Sequence, residues 1–131
     1  MANPVAHFEI YADNPTKLSG FYQSLFGWQI NKSQGMDYWT VRTVQTDAKG
    51  APTETGGING GLLARPMPDA PGRSWLNYVT VKSLDETLKR AQGLGAKVIR
   101  KDSVPKMGWF AILTDPEQNS FAIWQDDPNA K

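Results

Sequence analysis

The chain has 131 residues, 40% of them hydrophobic, with 14 Lys+Arg against 13 Asp+Glu and no cysteine. That size suits one domain with one substantial core. The formal net charge of +1 gives a polyanion such as DNA no electrostatic hold, and the lack of cysteine removes disulfides, thiol nucleophiles and thiolate metal sites. The N-terminus carries neither the charged nor the apolar region of a signal peptide, and no apolar run approaches the ~20 residues of a membrane span. A cytoplasmic protein without membrane or nucleic-acid partners is expected.

Ala6–Tyr11 reads as a strand, because apolar and polar residues alternate with period two. Phe8 and Ile10 face one way; His7, the sole histidine, faces the other with Glu9 and Tyr11. Asn14 is a good helix N-cap and Pro15 suits the first helical position. Leu18, Phe21, Tyr22, Leu25 and Phe26 then recur at helical spacing, a stripe expected to pack on the core, and Gly27 ends the helix. Trp28–Lys32 and Asp37–Val44 read as strands, the second rich in aromatic and β-branched residues. Thr46–Thr55 is polar and reads as an exposed hairpin loop. The glycines of Gly56–Leu63 lack the spacing and the Lys-Ser or Lys-Thr of a phosphate loop. They read as a strand whose missing side chains make room for something close by.

Ala64–Ser74 holds Pro66, Pro68, Pro71 and Gly72 and reads as a link. Trp75–Val81 follows as a strand. Ser83 and Glu86 form a capping box for a helix with Leu84, Leu88, Ala91 and Leu94 on its apolar face, closed by Gly95. Lys97–Arg100, Trp109–Thr114 and Ser120–Gln125 complete the strands, with a turn at Asp115–Asn119. The order is βαβββ, link, βαβββ: a repeat of architecture rather than of residues.

With that repeat in place, the chain resembles the vicinal oxygen chelate superfamily, which includes glyoxalase I, the bleomycin resistance proteins and the extradiol dioxygenases. The matching pieces are His7-Phe8-Glu9-Ile10, Phe21-Tyr22, Leu25-Phe26-Gly27-Trp28, Gly57-Ile58-Asn59-Gly60-Gly61, Gly108-Trp109-Phe110-Ala111, and Asp115-Pro116-Glu117-Gln118-Asn119 before Phe121-Ala122-Ile123-Trp124. Gln118 stands where the family usually has glycine. The resemblance covers about Ala6 to Gln125 and is closest to the small glyoxalase-like branch. It implies an α+β fold in which two βαβββ modules, about 5–64 and 75–126, form a curved mixed sheet with a central cup, the whole chain being one domain.

Metal-dependent members of that superfamily place one ligand on each of four cup-facing strands. His7 matches the first position, Asn59 is the polar side chain nearest the second, Asn77 matches the third within a residue, and Ala122 falls at the fourth. Zn²⁺ and non-haem iron need more nitrogen and carboxylate donors than this set offers. The expectation is therefore no metal and no other cofactor.

His7 and Glu9 are the candidate catalytic pair, with Tyr11, Asn59, Asn77 and Trp124 as candidate ligand-binding residues. Each also has a plain structural role open to it: a hydrogen-bonded imidazole, a solvated carboxylate, a loop tether, a packed indole. Trp39 and Trp109 are weaker candidates because their strand parity is uncertain. The function expected is metal-independent binding of a small molecule, an uncharged or weakly anionic aromatic compound with Trp124 stacking and His7 hydrogen-bonding. A metal-dependent lyase or dioxygenase, a sequestering protein of the bleomycin-resistance kind, and a non-catalytic interaction domain are the alternatives. A homodimer is expected.

Overall fold

The computed structural model describes residues 2–65 and 75–131. The proline-rich link expected at 64–74 falls, from 66 onward, outside the described residues. The elements are β1 (Val5–Ala12), α1 (Pro15–Phe26), β2 (Gln29–Lys32), β3 (Tyr38–Arg42), β4 (Gly60–Ala64), β5 (Leu76–Thr80), α2 (Leu84–Gly93), β6 (Lys97–Val104), β7 (Gly108–Thr114) and β8 (Ser120–Asp126). The class is α+β, and the βαβββ order occurs twice. The chain divides into two compact units, His7–Trp75 and Leu76–Lys131, the second joined by the N-terminal residues up to Ala6.

In the first unit the strands lie in the order β2-β3-β4-β1. β1 runs parallel to β4, with Phe8 opposite Gly60 and Ile10 opposite Leu62; the other pairs are antiparallel. Alternation sends Phe8, Ile10, Ala12, Ile30, Val41 and Leu62 to one face, where they form the core. α1 begins as expected: Asn14 Oδ1 accepts from Lys17 N at 3.1 Å, and Gly27 caps the end in the left-handed region. Its aromatic stripe is only partly absorbed. Leu18 and Tyr22 pack against the core with Trp28, whereas Phe21, Leu25 and Phe26 remain 55%, 58% and 55% exposed. A helix touches a flat sheet along a narrow line, so a stripe five residues wide cannot all be covered by it.

The second unit repeats the topology. β5 runs parallel to β8 and antiparallel pairs join β8 to β7 and β7 to β6. Val81, Leu84, Leu88, Ala111, Leu113 and Ile123 form its core. Ser83 caps α2 by accepting from Glu86 N at 3.2 Å. Leu94, expected on the apolar face, is instead the C-cap and 72% exposed. The last turn has already rotated it off the sheet. β6 also runs on to Val104, beyond the expected Arg100.

Candidate functional site

The polar face of the first sheet is set by the alternation of β1. Phe8 and Ile10 are committed to the core, so His7 and Glu9 emerge on the opposite side. There they meet a residue the sequence reading did not single out, Tyr38 of β3. The Tyr38 hydroxyl donates to Glu9 Oε2 at 3.0 Å, and His7 Nε2 lies 3.1 Å from the Tyr38 oxygen and 3.5 Å from Glu9 Oε2. With the proton of His7 on Nε2, the three form a directed chain: imidazole N–H to phenol oxygen, phenol O–H to carboxylate. The His7 side chain is 37% exposed and that of Glu9 13%, so the cluster has one solvent-facing member and a shielded carboxylate.

Tyr38 can enter because of a glycine. A Cβ built on Gly61 would lie 1.7 Å from the Tyr38 hydroxyl oxygen and 2.1 Å from its ring carbon. Gly61 sits opposite Glu9 on β1 and opposite Thr40 on β3. The expected room made by the glycines is thus real, and the group that fills it is the phenol. Burial, then the charge of Glu9 and the hydrogen bond to it, push the Tyr38 phenol far above its ordinary pKa, and the nearby Tyr11 adds to the push. Tyr38 is therefore a neutral donor at every physiological pH.

The remaining candidates are placed differently. Asn59 is tied to the end of β3, its Oδ1 accepting from Thr43 N at 2.8 Å and Val44 N at 3.1 Å. Its Nδ2 is buried with no hydrogen-bond partner among the described residues. Asn77 is exposed and out of step with Tyr78, which pairs with Ala122; it has the parity of Val79, which packs in the second core. Trp124 belongs to the second unit, opposite Phe110, and its ring lies where a Gly108 Cβ would be, 2.5 Å from the Trp124 Cζ2 atom. Its indole N–H donates to Asp126 Oδ1 at 2.8 Å. Trp39 and Trp109 pack against the first and second cores respectively. The structure thus gathers His7 and Glu9, with Tyr11 nearby, around Tyr38, and it gives Asn59 a structural tether.

Among the described residues no group of three or more His, Asp or Glu side chains is placed to hold a metal ion. The four positions that the resemblance matches to metal ligands, His7, Asn59, Asn77 and Ala122, carry one imidazole, a carboxamide whose oxygen is committed to backbone, an exposed carboxamide and a methyl group. That donor set does not fit a divalent metal.

The signal for Tyr38 was present but ambiguous. An aromatic pair, Tyr38-Trp39, must send one ring to each face, and which ring depends on a register that only the β3–β4 pairing fixes.

The profile of the Glyoxalase-like domain family matches residues 7–124. Among curated proteins, the chain is 26% identical over 124 residues to the Mycobacterium tuberculosis protein named "Putative glyoxylase CFP32". The match covers 92% of this chain and 43% of that protein, so the chain spans less than half the length of this relative. Among solved structures, a variant of Streptomyces coelicolor methylmalonyl-CoA epimerase in complex with 2-nitronate-propionyl-CoA superposes with a TM-score of 0.66 at 13% identity, covering 100% of this chain and 99% of that one. A glyoxalase/bleomycin resistance protein/dioxygenase superfamily member from Vibrio splendidus 12B01 gives 0.60 at 11% identity, covering 96% and 100%.

Proposed function

Because the chain belongs to the Glyoxalase-like domain family, we propose that its first module binds a small oxygen-bearing organic molecule on the His7–Tyr38–Glu9 cluster and works without a metal. The observation that carries this reading is the meeting of imidazole, phenol and carboxylate at the Tyr38 hydroxyl, in space that Gly61 leaves clear. A folded protein has no need to bring a shielded carboxylate and a buried phenol together, since replacing such a network by apolar groups is often neutral. As chemistry, the cluster can hold and move one proton. Glu9 is the acceptor for an acidic proton of the ligand and Tyr38 steadies the carboxylate through its O–H; with the His7 proton on Nδ1 instead, the carboxyl passes its proton to the phenol oxygen as the phenol passes its own to Nε2, and the half-buried His7 gives up the Nδ1 proton to solvent.

The test is ligand-observed NMR with a library of small carbonyl and phenolic compounds. Hits should compete for one site. Against His7→Ala they should weaken about fivefold, the equivalent of one neutral hydrogen bond of about 1 kcal/mol. Hits that bind His7→Ala and Tyr38→Phe as tightly as the parent overturn the reading. A hit that is bound but never turned over makes the protein a sequestering one of the bleomycin-resistance kind. Elemental analysis of protein purified without a histidine tag should find far less than one equivalent of Zn, Ni, Fe or Mn; a full equivalent lost in His7→Ala favours the metal-dependent lyase or dioxygenase.

The chain also carries a surface that supports a homodimer. Phe21, Leu25 and Phe26 of α1 are exposed, and Phe21 and Phe26 meet Tyr22, which packs edge-on against the 40% exposed Trp75 with ring centroids 5.9 Å apart. Large apolar side chains gathered on a surface are the usual mark of an association site. Light scattering at high protein concentration should give a dimer mass, and Phe21→Ser/Phe26→Ser should return the monomer; a parent chain that stays monomeric removes the proposal.

A further inference from the structure

The C-terminal end of β3 borders a second opening, formed by residues the proton-handling cluster does not use. It is a cavity of about 420 Å³ whose lining includes Gly27, Gln29, Arg42, Thr43, Thr46 and Glu54. Arg42 lies opposite Gln29 across the β2–β3 pair. It is four residues from Tyr38 on the same face of β3, about 14 Å away at the rise of an antiparallel strand. That volume is within the range of small-molecule sites.

The walls are held in place. Asn59 Oδ1 accepts from the backbone N–H groups of Thr43 and Val44, and the Thr43 hydroxyl donates to Ile58 O at 2.6 Å. Gly57 lets Val44 come close, since a Cβ there would lie 2.2 Å from Val44 Cγ1. On the far side of the loop, both the N–H and the hydroxyl of Thr53 donate to Gln45 O, at 2.8 and 3.1 Å, which sets the position of its neighbour Glu54.

The charges are the informative part. Arg42 and Glu54 line one cavity, yet among the described residues neither side chain makes an ion pair or hydrogen bond. A simple anion would find Arg42 attractive and Glu54 repulsive, and a simple cation the reverse. A molecule that bears a negative and a positive group on one carbon satisfies both, with Gln29 and Thr46 as neutral hydrogen-bonding partners. The planar guanidinium suits a carboxylate in particular, because it presents paired N–H donors to paired oxygens. We propose that this cavity binds a free α-amino acid, its carboxylate on Arg42 and its ammonium on Glu54. The proposal stands independently of the chemistry assigned to His7, Tyr38 and Glu9.

The experiment is a titration of the ¹⁵N-labelled intact chain with L-glutamine and with its two halves, 4-carbamoylbutanoate, which lacks the ammonium, and 4-aminobutanamide, which lacks the carboxylate. Glutamine should shift the backbone amides of Thr43, Val44, Gln45 and Thr46 with at least tenfold tighter half-saturation than either half. Arg42→Gln and Glu54→Gln should each weaken glutamine at least tenfold. Equal binding of glutamine and 4-carbamoylbutanoate would make this a plain anion site and overturn the proposal, as would the absence of any shift at 20-fold molar excess and millimolar protein. The comparison of glutamine with its halves is made on the unaltered chain, so it decides the matter even where a variant fails to fold.

Discussion

Gly61 and Tyr38 occupy one space between them: the Cβ that Gly61 lacks would lie 1.7 Å from the Tyr38 hydroxyl oxygen. Neither residue is explained alone. A phenol cannot reach Glu9 over a strand that carries a side chain at that point, and a glycine inside a strand weakens it unless another group uses the space.

Gly61→Ala should therefore expel the phenol rather than merely crowd it. Overpacking of this kind costs about 1–3 kcal/mol, and here the hydrogen bond to Glu9 is lost as well. Urea denaturation should show the loss, and the double variant Gly61→Ala/Tyr38→Ala should recover part of it. A double variant that is only the sum of the two singles would mean that the residues do not share the space.

The phenol of Tyr38 is raised far above the usual range by burial and by Glu9. A group raised in the folded state stabilises fully below its unfolded value, near 10, and that contribution is lost as pH climbs above it. Tyr38 should stay protonated until the protein unfolds. Absorbance at 295 nm against pH should show a late phenol step that coincides with the loss of far-UV dichroism and is absent in Tyr38→Phe.

The turn before β8 depends on Asp115. Its carboxylate accepts from Asn119 N at 3.0 Å, from the Asn119 side-chain amide at 3.0 Å and from Glu117 N at 2.8 Å. The Asn119 backbone bond first, then the Asn119 side chain, hold it below the ordinary carboxylate range. A depressed carboxylate stabilises above its unfolded value of about 3.9, and that contribution disappears as pH falls through the lower folded value. Asp115→Asn should be less stable than the parent at pH 7, and the gap should narrow below pH ~4. Asp102 and Asp127 are lowered as well, so the variant should keep part of the parent's acid sensitivity. Thermal melts across pH 2.5–7 would decide it; a gap that is constant with pH counts against the assignment.

The same turn carries a strained residue with a measurable cost: Gln118 adopts φ 67°, in the left-handed region. A side chain there costs roughly 1–2 kcal/mol, part of which glycine's freedom in the unfolded chain gives back. Gln118→Gly should raise stability by about 0.5–1 kcal/mol by urea denaturation, and an equally large loss would show the side chain to be useful in place.

What could be seen in the sequence was whatever is decided locally. The Asn14–Pro15 and Ser83–Glu86 helix starts are written in adjacent residues and form as read. The polarity of β1 was legible because six residues alternate without interruption. Asn77 was harder to place, since which of two neighbours faces a given side turns on the Tyr78–Ala122 pairing, a distant event. Tyr38 was harder still: its meaning depends on Gly61, a residue whose signal is the absence of atoms. The exposure of Phe21 and Phe26 could not be read from helical spacing either, because spacing gives the direction of a face and not the width of what covers it.

The parallel pairings β1–β4 and β5–β8 have a consequence for the order of events during synthesis. Each module closes only when its last strand returns to its first, joining Phe8 to Gly60 and Tyr78 to Ala122, and such distant pairings are slow to form. The N-terminal residues up to Ala6 belong with the second unit, where the Pro4 carbonyl accepts from Thr80 N at 3.0 Å. These residues leave the ribosome well before β5 does, and their backbone finds its partner only after that wait. Through that interval the start of β1 is an open edge in a nascent chain, the stage at which strands of neighbouring copies can pair in error.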